Sequence, residues 1–201
     1  SVSLGWRISE EDFFRNNVPW VANLKLRGSY GEVGALAGGP FQYLSMYNAY
    51  GPAYAFNGSA LTGINERSES NPNITWERAR KTNLGFELSI LKQLNIEFDY
   101  FYEKRSNMLV APNVITPVEY GIGLSQVNAG VMSNKGIDLT LQYNQEIARD
   151  LTFSFHGTFT YARNKLLQIF ENAATYDNPN RRLTGRPLGV EFGYRALGYF
   201  K

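Results

Sequence analysis

The sequence predicts an all-β fold, an antiparallel meander that forms part of a large transmembrane β-barrel. Three observations support this prediction: apolar and polar residues alternate along several stretches, these stretches are long, and the connections between them alternate between short and long. Strands of about ten residues or more exceed the roughly 5–6 residues usual in soluble sheets. They match the ~9–11 residues with which a tilted strand crosses a bilayer.

The alternation is clearest between residues 80 and 105, where we predict a hairpin with its turn at Lys92 and Gln93. One face carries the apolar residues Leu84, Phe86, Leu88, Ile90, Leu94, Ile96, Phe98, Tyr100 and Tyr102. The opposite face is polar and includes Glu87, Glu97 and Asp99, with Phe101 as the single exception. Because successive side chains of a strand point to opposite faces, both strands have one apolar and one polar side.

The segment before the hairpin begins with an alternating strand at residues 2–6. Ser9 and Asp12 then fit the pattern of a helix N-terminus, in which a short polar side chain caps the first turn. This spacing predicts a helical turn that carries Phe13 and Phe14.

Four further stretches alternate in the same way, at residues 24–30, 137–143, 151–161 and 188–194. Lys25 and Arg27 lie on the polar side of the first of these stretches, and His156 lies on the polar side of the third. Each stretch is predicted to be a strand of the same sheet.

The connections between the predicted strands are sorted by length. The short ones are 9–19, 92–93 and 145–150, and the long ones are 33–75, 106–126 and 164–187, the first of which has room for short strands of its own. Outer-membrane barrels have tight periplasmic turns and extended extracellular loops, whereas a soluble sandwich has no reason to sort its connections.

Composition excludes several other classes of protein. The net charge of +2 lacks the basic excess typical of nucleic-acid binders. The chain has no cysteine, so it forms neither disulfides nor thiolate metal sites. No apolar run approaches the ~18 residues of a membrane-spanning helix, although an alternating barrel strand needs none.

The expected environment of each face follows from transfer energies, because a charge at the bilayer midplane costs about 2–4 kcal/mol in such barrels. We therefore expect the apolar face to contact lipid, with Tyr100 and Tyr102 in an aromatic girdle at the headgroups. Glu87, Glu97, Asp99 and His156 are expected to face the lumen.

Six motifs occur along the chain in a recognisable order. They are Ser1-Val-Ser-Leu-Gly-Trp-Arg-Ile-Ser-Glu-Glu, Leu24-Lys-Leu-Arg-Gly-Ser-Tyr-Gly, Asn71-Pro-Asn-Ile-Thr-Trp-Glu, Phe98-Asp-Tyr-Phe-Tyr-Glu-Lys, Asn128-Ala-Gly-Val-Met-Ser-Asn-Lys-Gly-Ile-Asp and Gly185-Arg-Pro-Leu-Gly-Val-Glu-Phe-Gly-Tyr. In this order they resemble the C-terminal half of the barrel in the SusC/RagA family of TonB-dependent outer-membrane transporters of the Bacteroidetes.

This resemblance implies a barrel of about 22 strands in the bacterial outer membrane. It also implies an N-terminal plug, a SusD-like surface lipoprotein as lid, energy supplied through TonB, and import of oligosaccharides or peptides. The chain contains neither a plug nor enough strands to close such a barrel, so we expect residues 1–201 to be one part of a longer transporter.

The best candidates for contact with a substrate or partner are aromatic residues of the first long connection, because their rings suit stacking on sugars or packing against a protein. These are Tyr43, Tyr47, Tyr50, Tyr54 and Phe56, to which the lumen-facing Glu97, Asp99 and His156 are added. We expect no catalytic, metal or cofactor site and no nucleic-acid partner. The basic cluster of Arg181, Arg182 and Arg186 is interpreted as a solvated loop face rather than an anion site.

Two alternatives remain open at this stage. A passive porin or adhesin barrel would show the same alternation. A soluble β-sandwich that binds or cleaves glycans would instead bury the face of Leu84, Phe86 and Leu88 against a second sheet.

Overall fold

The computed structural model describes residues 1–112 and 116–198, and most of them lie in strands. The strands are β1 (Val2–Arg7), β2 (Val21–Ala35), β3 (Tyr47–Phe56), β4 (Ser59–Glu66), β5 (Glu77–Ile90), β6 (Leu94–Val110), β7 (Val127–Ala148) and β8 (Leu151–Gln168). Short helical segments are the 3-10 turns Ile8–Glu10 and Val118–Tyr120 and the α-helices α1 (Asp12–Arg15) and α2 (Ala173–Tyr176). Within the described ranges no helix is long and apolar enough to cross a membrane.

Six strands form one sheet in the order β1-β2-β5-β6-β7-β8, and β3 and β4 form a separate two-stranded sheet. The first pair is antiparallel, with Val2 opposite Tyr30 and Arg7 opposite Lys25. Strands that follow one another along the sheet also follow one another along the chain, apart from the excursion through β3 and β4. This order confirms the all-β meander.

The chain divides into two compact units. The first comprises Ser1–Val33, Ala79–Arg105 and Ser133–Lys165, and the second comprises Gly34–Arg78, Ser106–Met132 and the chain from Leu166 onward. The first unit contains all three short connections, and the second contains all three long ones. The predicted sorting of connections by length is therefore confirmed.

Within the described residues, no protein layer lies over the apolar face of the first unit. The Phe86 and Phe98 rings stack on this face with their centroids 5.5 Å apart, and Leu84 and Phe159 are 57% and 55% exposed. Among the described hydrophobic residues only Ala79 and Leu166 are buried. A soluble sandwich would bury such a face against a second sheet, so the structure argues against that alternative.

The polar face contains two glycines over which neighbouring side chains lie. A Cβ on Gly85 would collide with the Asp99 carboxylate and lie 2.6 Å from the Phe98 carbonyl oxygen. A Cβ on Gly136 would lie 2.6 Å from the Phe101 ring. Phe101, the exception to the sequence pattern, thus packs over a glycine on the polar face.

Several strands are longer than the sequence predicted. β6 continues to Val110, β7 begins at Val127 rather than at residue 137, and β8 continues to Gln168. Apolar and polar residues do not alternate regularly in these extensions. Glycine and polar residues such as Gly130 and Asn107 interrupt the pattern there. Ladder pairing with neighbouring strands keeps the backbone extended there, and the sequence pattern does not report that pairing.

The turn between β5 and β6 lies one residue earlier than predicted. Gln93 donates its N–H to the Ile90 carbonyl, so the two central residues are Leu91 and Lys92. Both have positive φ, at 50° and 59°. Two positive φ values are the requirement of the tight hairpin turn whose twist matches that of its strands.

The predicted helical turn near Phe13 exists, but the predicted cap is wrong. Residues Ile8–Glu10 form a 3-10 turn, so Ser9 lies inside that turn rather than before α1. The residue that precedes α1 is Glu11, and its side chain makes no capping hydrogen bond.

The predicted strand at 188–194 is also wrong. These residues form turns and irregular backbone, and Gly189 has a φ of 79° that interrupts an extended run. No strand of the described chain pairs with them, and Tyr194 is fully exposed. Without a ladder partner, alternation alone does not make a strand.

Substituting Gly85→Ala is expected to destabilise the barrel by about 1–3 kcal/mol, because the new methyl group forces the Asp99 side chain and the β6 backbone apart. The measurement is the urea midpoint of the full-length protein in detergent micelles. Gly123→Ala is the matched control, since a Cβ at Gly123 meets nothing within 4 Å. Equal midpoints for the two variants would contradict this reading of the polar face.

Candidate functional site

The aromatic residues predicted to contact a ligand lie mainly on the hairpin of β3 and β4, which belongs to the second unit. Tyr50 pairs with Gly63, Tyr54 with Leu61 and Phe56 with Ser59. Residues directly opposite in an antiparallel pair share a face, and the partners Gly63, Leu61 and Ser59 lie two residues apart along β4, although β3 itself has an irregularity between Tyr50 and Tyr54. The three aromatic residues and Leu61 therefore lie on one side, which we call the aromatic face.

The aromatic face is open and locally ordered. Tyr54 is 60% exposed and Phe56 is 74% exposed. The Tyr50 ring lies over Gly63, where a Cβ would be only 2.7 Å from the ring carbon Cζ. A glycine opposite a tyrosine lets the ring lie flat across the neighbouring strand, which fixes the ring and leaves its outer surface available.

The other two predicted aromatic residues do not belong to this face. Tyr47 pairs with Glu66 and lies on the reverse side of the hairpin, together with Ile64. Tyr43 precedes β3 and contacts the Phe41 ring at a centroid distance of 6.4 Å. The five residues that the sequence grouped together are thus divided among three surroundings.

Glu97 and Asp99 lie on the polar face of the first unit, where they surround Arg27. The Arg27 guanidinium donates to Glu97 at 2.6 Å, and it binds both carboxylate oxygens of Asp99. It also donates to Glu87 at 2.9 Å, and Lys25 approaches Glu87 at 3.4 Å. Each of these three carboxylates is therefore paired with a cation of β2.

The polar face continues into β7 and β8. A shallow cleft of about 210 Å³ is lined by Glu87, Glu97, Thr140 and Gln142 among others. Phe155 lies on the apolar face beside Leu139 and Leu141. Because His156 is the next residue of the strand, the exposed His156 side chain is on the polar side. His156 does not line the cleft.

Three polar side chains hold the second unit together. They occur in the sequence motifs, but no sequence pattern indicates this role. Asn71 and Glu77 are each 8% exposed. Glu77 accepts a hydrogen bond from the Leu109 N–H at 3.1 Å. The Asn128 amide pairs with both backbone groups of Thr75, each at 2.9 Å, as a neighbouring strand would. These residues supply hydrogen bonds to the backbone where the ladder begins and ends.

The third long connection is closed by Glu171. Its carboxylate accepts hydrogen bonds from the Leu183 N–H at 2.5 Å, the Thr184 N–H at 3.0 Å and the Thr184 hydroxyl at 2.7 Å. Partial burial raises the pKa of Glu171, but these hydrogen bonds and the charge of Arg182 together lower the pKa by a larger amount. The net pKa therefore lies below its ordinary value of 4.5.

Two members of the arginine cluster are engaged within this same connection. Arg182 lies 5.4 Å from the Tyr176 ring centroid, and Arg186 lies 5.1 Å from that of Phe192. Arg186 also donates to the Pro179 carbonyl at 2.6 Å. Their guanidinium groups pack the loop against itself.

Comparison with known proteins places this architecture in a family. The family model described as "TonB dependent receptor-like, beta-barrel" matches residues 1–200. A TonB-dependent receptor of Formosa agariphila is 31% identical over 212 residues, which cover 100% of this chain and 21% of that protein. The TonB-dependent receptor SusC of Bacteroides thetaiotaomicron is 25% identical over 174 residues, which cover 84% of this chain and 17% of SusC. The chain thus spans about a fifth of the length of these relatives.

Solved structures agree at the level of the fold. The RagAB peptide importer in its closed-closed state matches with a TM-score of 0.74 at 24% identity, over 92% of this chain and 20% of that chain. Its open-open state matches with a TM-score of 0.67, over 84% of this chain and 18% of that chain. At this identity the similarity establishes a shared β-barrel architecture.

The closure of the third connection by Glu171 is expected to depend on pH. Because the pKa of Glu171 is lowered on folding, its contribution is complete above pH 4.5, the ordinary value, and is lost as the pH falls through the lowered pKa. Hydrogen exchange of the Leu183 and Thr184 amides, corrected for intrinsic rates, should show protection at pH 7 that declines as the pH falls below the ordinary value of 4.5. Glu171→Ala should lack this protection at both pH values; protection that persists in the variant would mean that other contacts close the loop.

Proposed function

Because this chain belongs to the TonB-dependent receptor β-barrel family, whose members are β-barrels of the outer membrane, we propose that it is part of an active importer of oligosaccharides or peptides. The observation that carries the proposal is the two-sided sheet. One side exposes large apolar residues with no protein layer over them, and the other side carries a network of ion pairs. A wall between lipid and an aqueous lumen requires both properties.

In this proposal the apolar face of β5 and β6 contacts lipid. Leu84, at 57% exposed, has the most surface of these strands to transfer to hydrocarbon, at roughly 25 cal/mol for each Å² removed from water, and the half-buried Phe86 and Phe98 lie beside it on the same face. The polar face, with Glu87, Glu97, Asp99, Thr140, Gln142 and His156, lines the lumen along which the substrate passes. Arg27 keeps the carboxylates of that wall paired.

Transport would proceed in three steps. A SusD-like surface lipoprotein closes over the extracellular loops and traps the substrate, TonB then pulls on the plug from the periplasmic side, and the substrate passes along the lumen wall. The similarity to SusC and to the RagAB peptide importer supports this sequence of steps. The family is one of transporters rather than enzymes, and we assign no bond-making step to any residue of the chain.

The aromatic face of the β3–β4 hairpin is the proposed contact surface for the substrate or the lid. Tyr50, Tyr54 and Phe56 offer flat apolar rings in a row, and the two tyrosines add hydroxyl groups. Rings held in place on a strand lose little conformational entropy when they bind a partner.

Import can be tested with the complete gene in its native host. A strain that lacks the gene should lose growth on one oligosaccharide or on a protein hydrolysate from a panel of both, and a strain that lacks TonB should lose growth on the same nutrient. Complementation with the intact gene is the control. Growth that needs this gene but not TonB would assign the chain to a passive porin instead.

The two sides of the hairpin provide a matched pair of variants. Tyr54→Ala removes a ring from the aromatic face and is expected to lower uptake affinity about three- to tenfold, the value of one well-packed aromatic contact. Tyr47→Ala removes a similarly exposed ring from the reverse side and should change the uptake affinity less than about twofold. Uptake at limiting nutrient is the measurement, and equal effects of both variants would exclude a specific role for the aromatic face.

A further inference from the structure

The loops of the second unit enclose a cavity of about 410 Å³ that the sequence analysis did not anticipate. Its size falls in the range of roughly 300–1,000 Å³ typical of ligand sites. Residues from three separate segments line it, among them Gln42, Arg67, Glu69, Asn71 and Gln126. In the connection before β3 the lining residues are Gly39, Pro40, Gln42, Leu44 and Met46, whereas the aromatic residues Phe41 and Tyr43 do not line the cavity.

The walls of the cavity are fixed by Asn71. Its backbone N–H donates to the Gln42 carbonyl at 3.0 Å, and its side-chain Nδ2 donates to the Gln126 carbonyl at 2.7 Å. Its Oδ1 accepts from the Asn73 N–H at 3.0 Å. One buried amide thus joins the three segments, so the cavity is formed before any ligand arrives.

Opposite charges line the cavity on either side of Ser68. The Arg67 N–H donates to the Met46 carbonyl at 2.8 Å, and the Glu69 N–H donates to the Gly123 carbonyl at 2.9 Å. These hydrogen bonds hold the backbone of both residues in place. Within the described residues the Arg67 guanidinium forms no ion pair. Desolvation, the charge of Glu69 and a hydrogen bond with the Glu69 side chain raise the pKa of Tyr120 above its ordinary value, so the Tyr120 hydroxyl lies beside the Glu69 carboxylate.

The remaining lining favours a peptide over a sugar. Pro40, Leu44, Met46 and Leu124 supply apolar surface, and the described lining includes no aromatic ring on which a sugar could stack. A peptide presents amide donors and acceptors together with apolar side chains and charges of both signs. The amides of Gln42 and Gln126 and the charges of Arg67 and Glu69 match that combination.

We propose that this cavity is a binding site for a short peptide segment, with Arg67 and Glu69 as its charged contacts and Asn71 as the residue that positions its walls. The proposal rests on the proposed import function and narrows its substrate class from oligosaccharide or peptide to peptide. The aromatic face of the hairpin is a separate surface and plays no part in this argument.

The test uses the full-length transporter purified in detergent, with a fluorescein-labelled pool of random hexapeptides and fluorescein-labelled maltohexaose as the two probes. The peptide pool should bind in fluorescence anisotropy titrations, and Arg67→Ala or Glu69→Ala should each weaken binding about tenfold or more, as expected for a lost charge-assisted contact. Arg149→Ala, which removes an exposed arginine from a short turn, should leave binding unchanged.

Asn71→Ala should weaken peptide binding to a similar extent, through loosened walls. Electrophoretic mobility before and after heating shows whether each variant forms a folded barrel. If Asn71→Ala does not fold, the exposed positions Arg67 and Glu69 still decide the question. Peptide binding that is absent, or that is unaffected by Arg67→Ala and Glu69→Ala, overturns the site, as does maltohexaose binding that these variants abolish.

Uptake in the native host separates this inference from the proposed function. If TonB-dependent growth on a nutrient persists undiminished in the Arg67→Ala, Glu69→Ala double variant, the chain still serves an importer but the cavity is not its peptide site. If growth on that nutrient is independent of TonB, the importer assignment fails, and the binding titrations still report on the cavity.

Discussion

The structure depends on one constraint, the backbone ladder of a sheet that has no hydrophobic core behind it. Because hydrogen bonds to neighbouring strands fix each residue on one side or the other, a two-residue sequence period becomes two continuous surfaces. In an ordinary domain a buried core would hold these strands together, but only Ala79 and Leu166 among the described hydrophobic residues are buried. Backbone pairing and the contrast between lipid and water must hold this sheet instead.

The polar surface shows how charges are accommodated on such a wall. Arg27 meets Glu87, Glu97 and Asp99, and its side chain remains 31% exposed. Individual half-exposed ion pairs contribute little, about 0–1 kcal/mol each. A single guanidinium shared by three carboxylates, however, fixes the relative positions of β2, β5 and β6. Gly85 makes this arrangement possible because it leaves room for the Asp99 side chain over β5.

Outside the β3–β4 hairpin, the long connections of the second unit are held in a different way. Asn71, Glu77 and Asn128 supply side-chain hydrogen bonds to backbone groups, and Glu171 does the same for the third connection. Such bonds make the loops stiff without making them regular. Loops held in this way form the preformed cavity, whereas the exposed aromatic face lies on the regular β3–β4 hairpin.

The sequence by itself determined the faces of the strands, the order of the meander, the sorting of connections by length and the family. These properties depend on each segment of the sequence separately, because the alternation of apolar and polar residues can be recognised within any single strand. Tertiary structure decided which side chains meet. Arg27 and Asp99 are 72 residues apart in sequence, Tyr47 and Tyr54 differ in face because of pairing with β4, and Asn71 joins segments that no pattern connects. The strand predicted at 188–194 is not formed within the described residues, because alternation describes the side chains of one segment, whereas a strand also needs hydrogen-bond partners from a second segment.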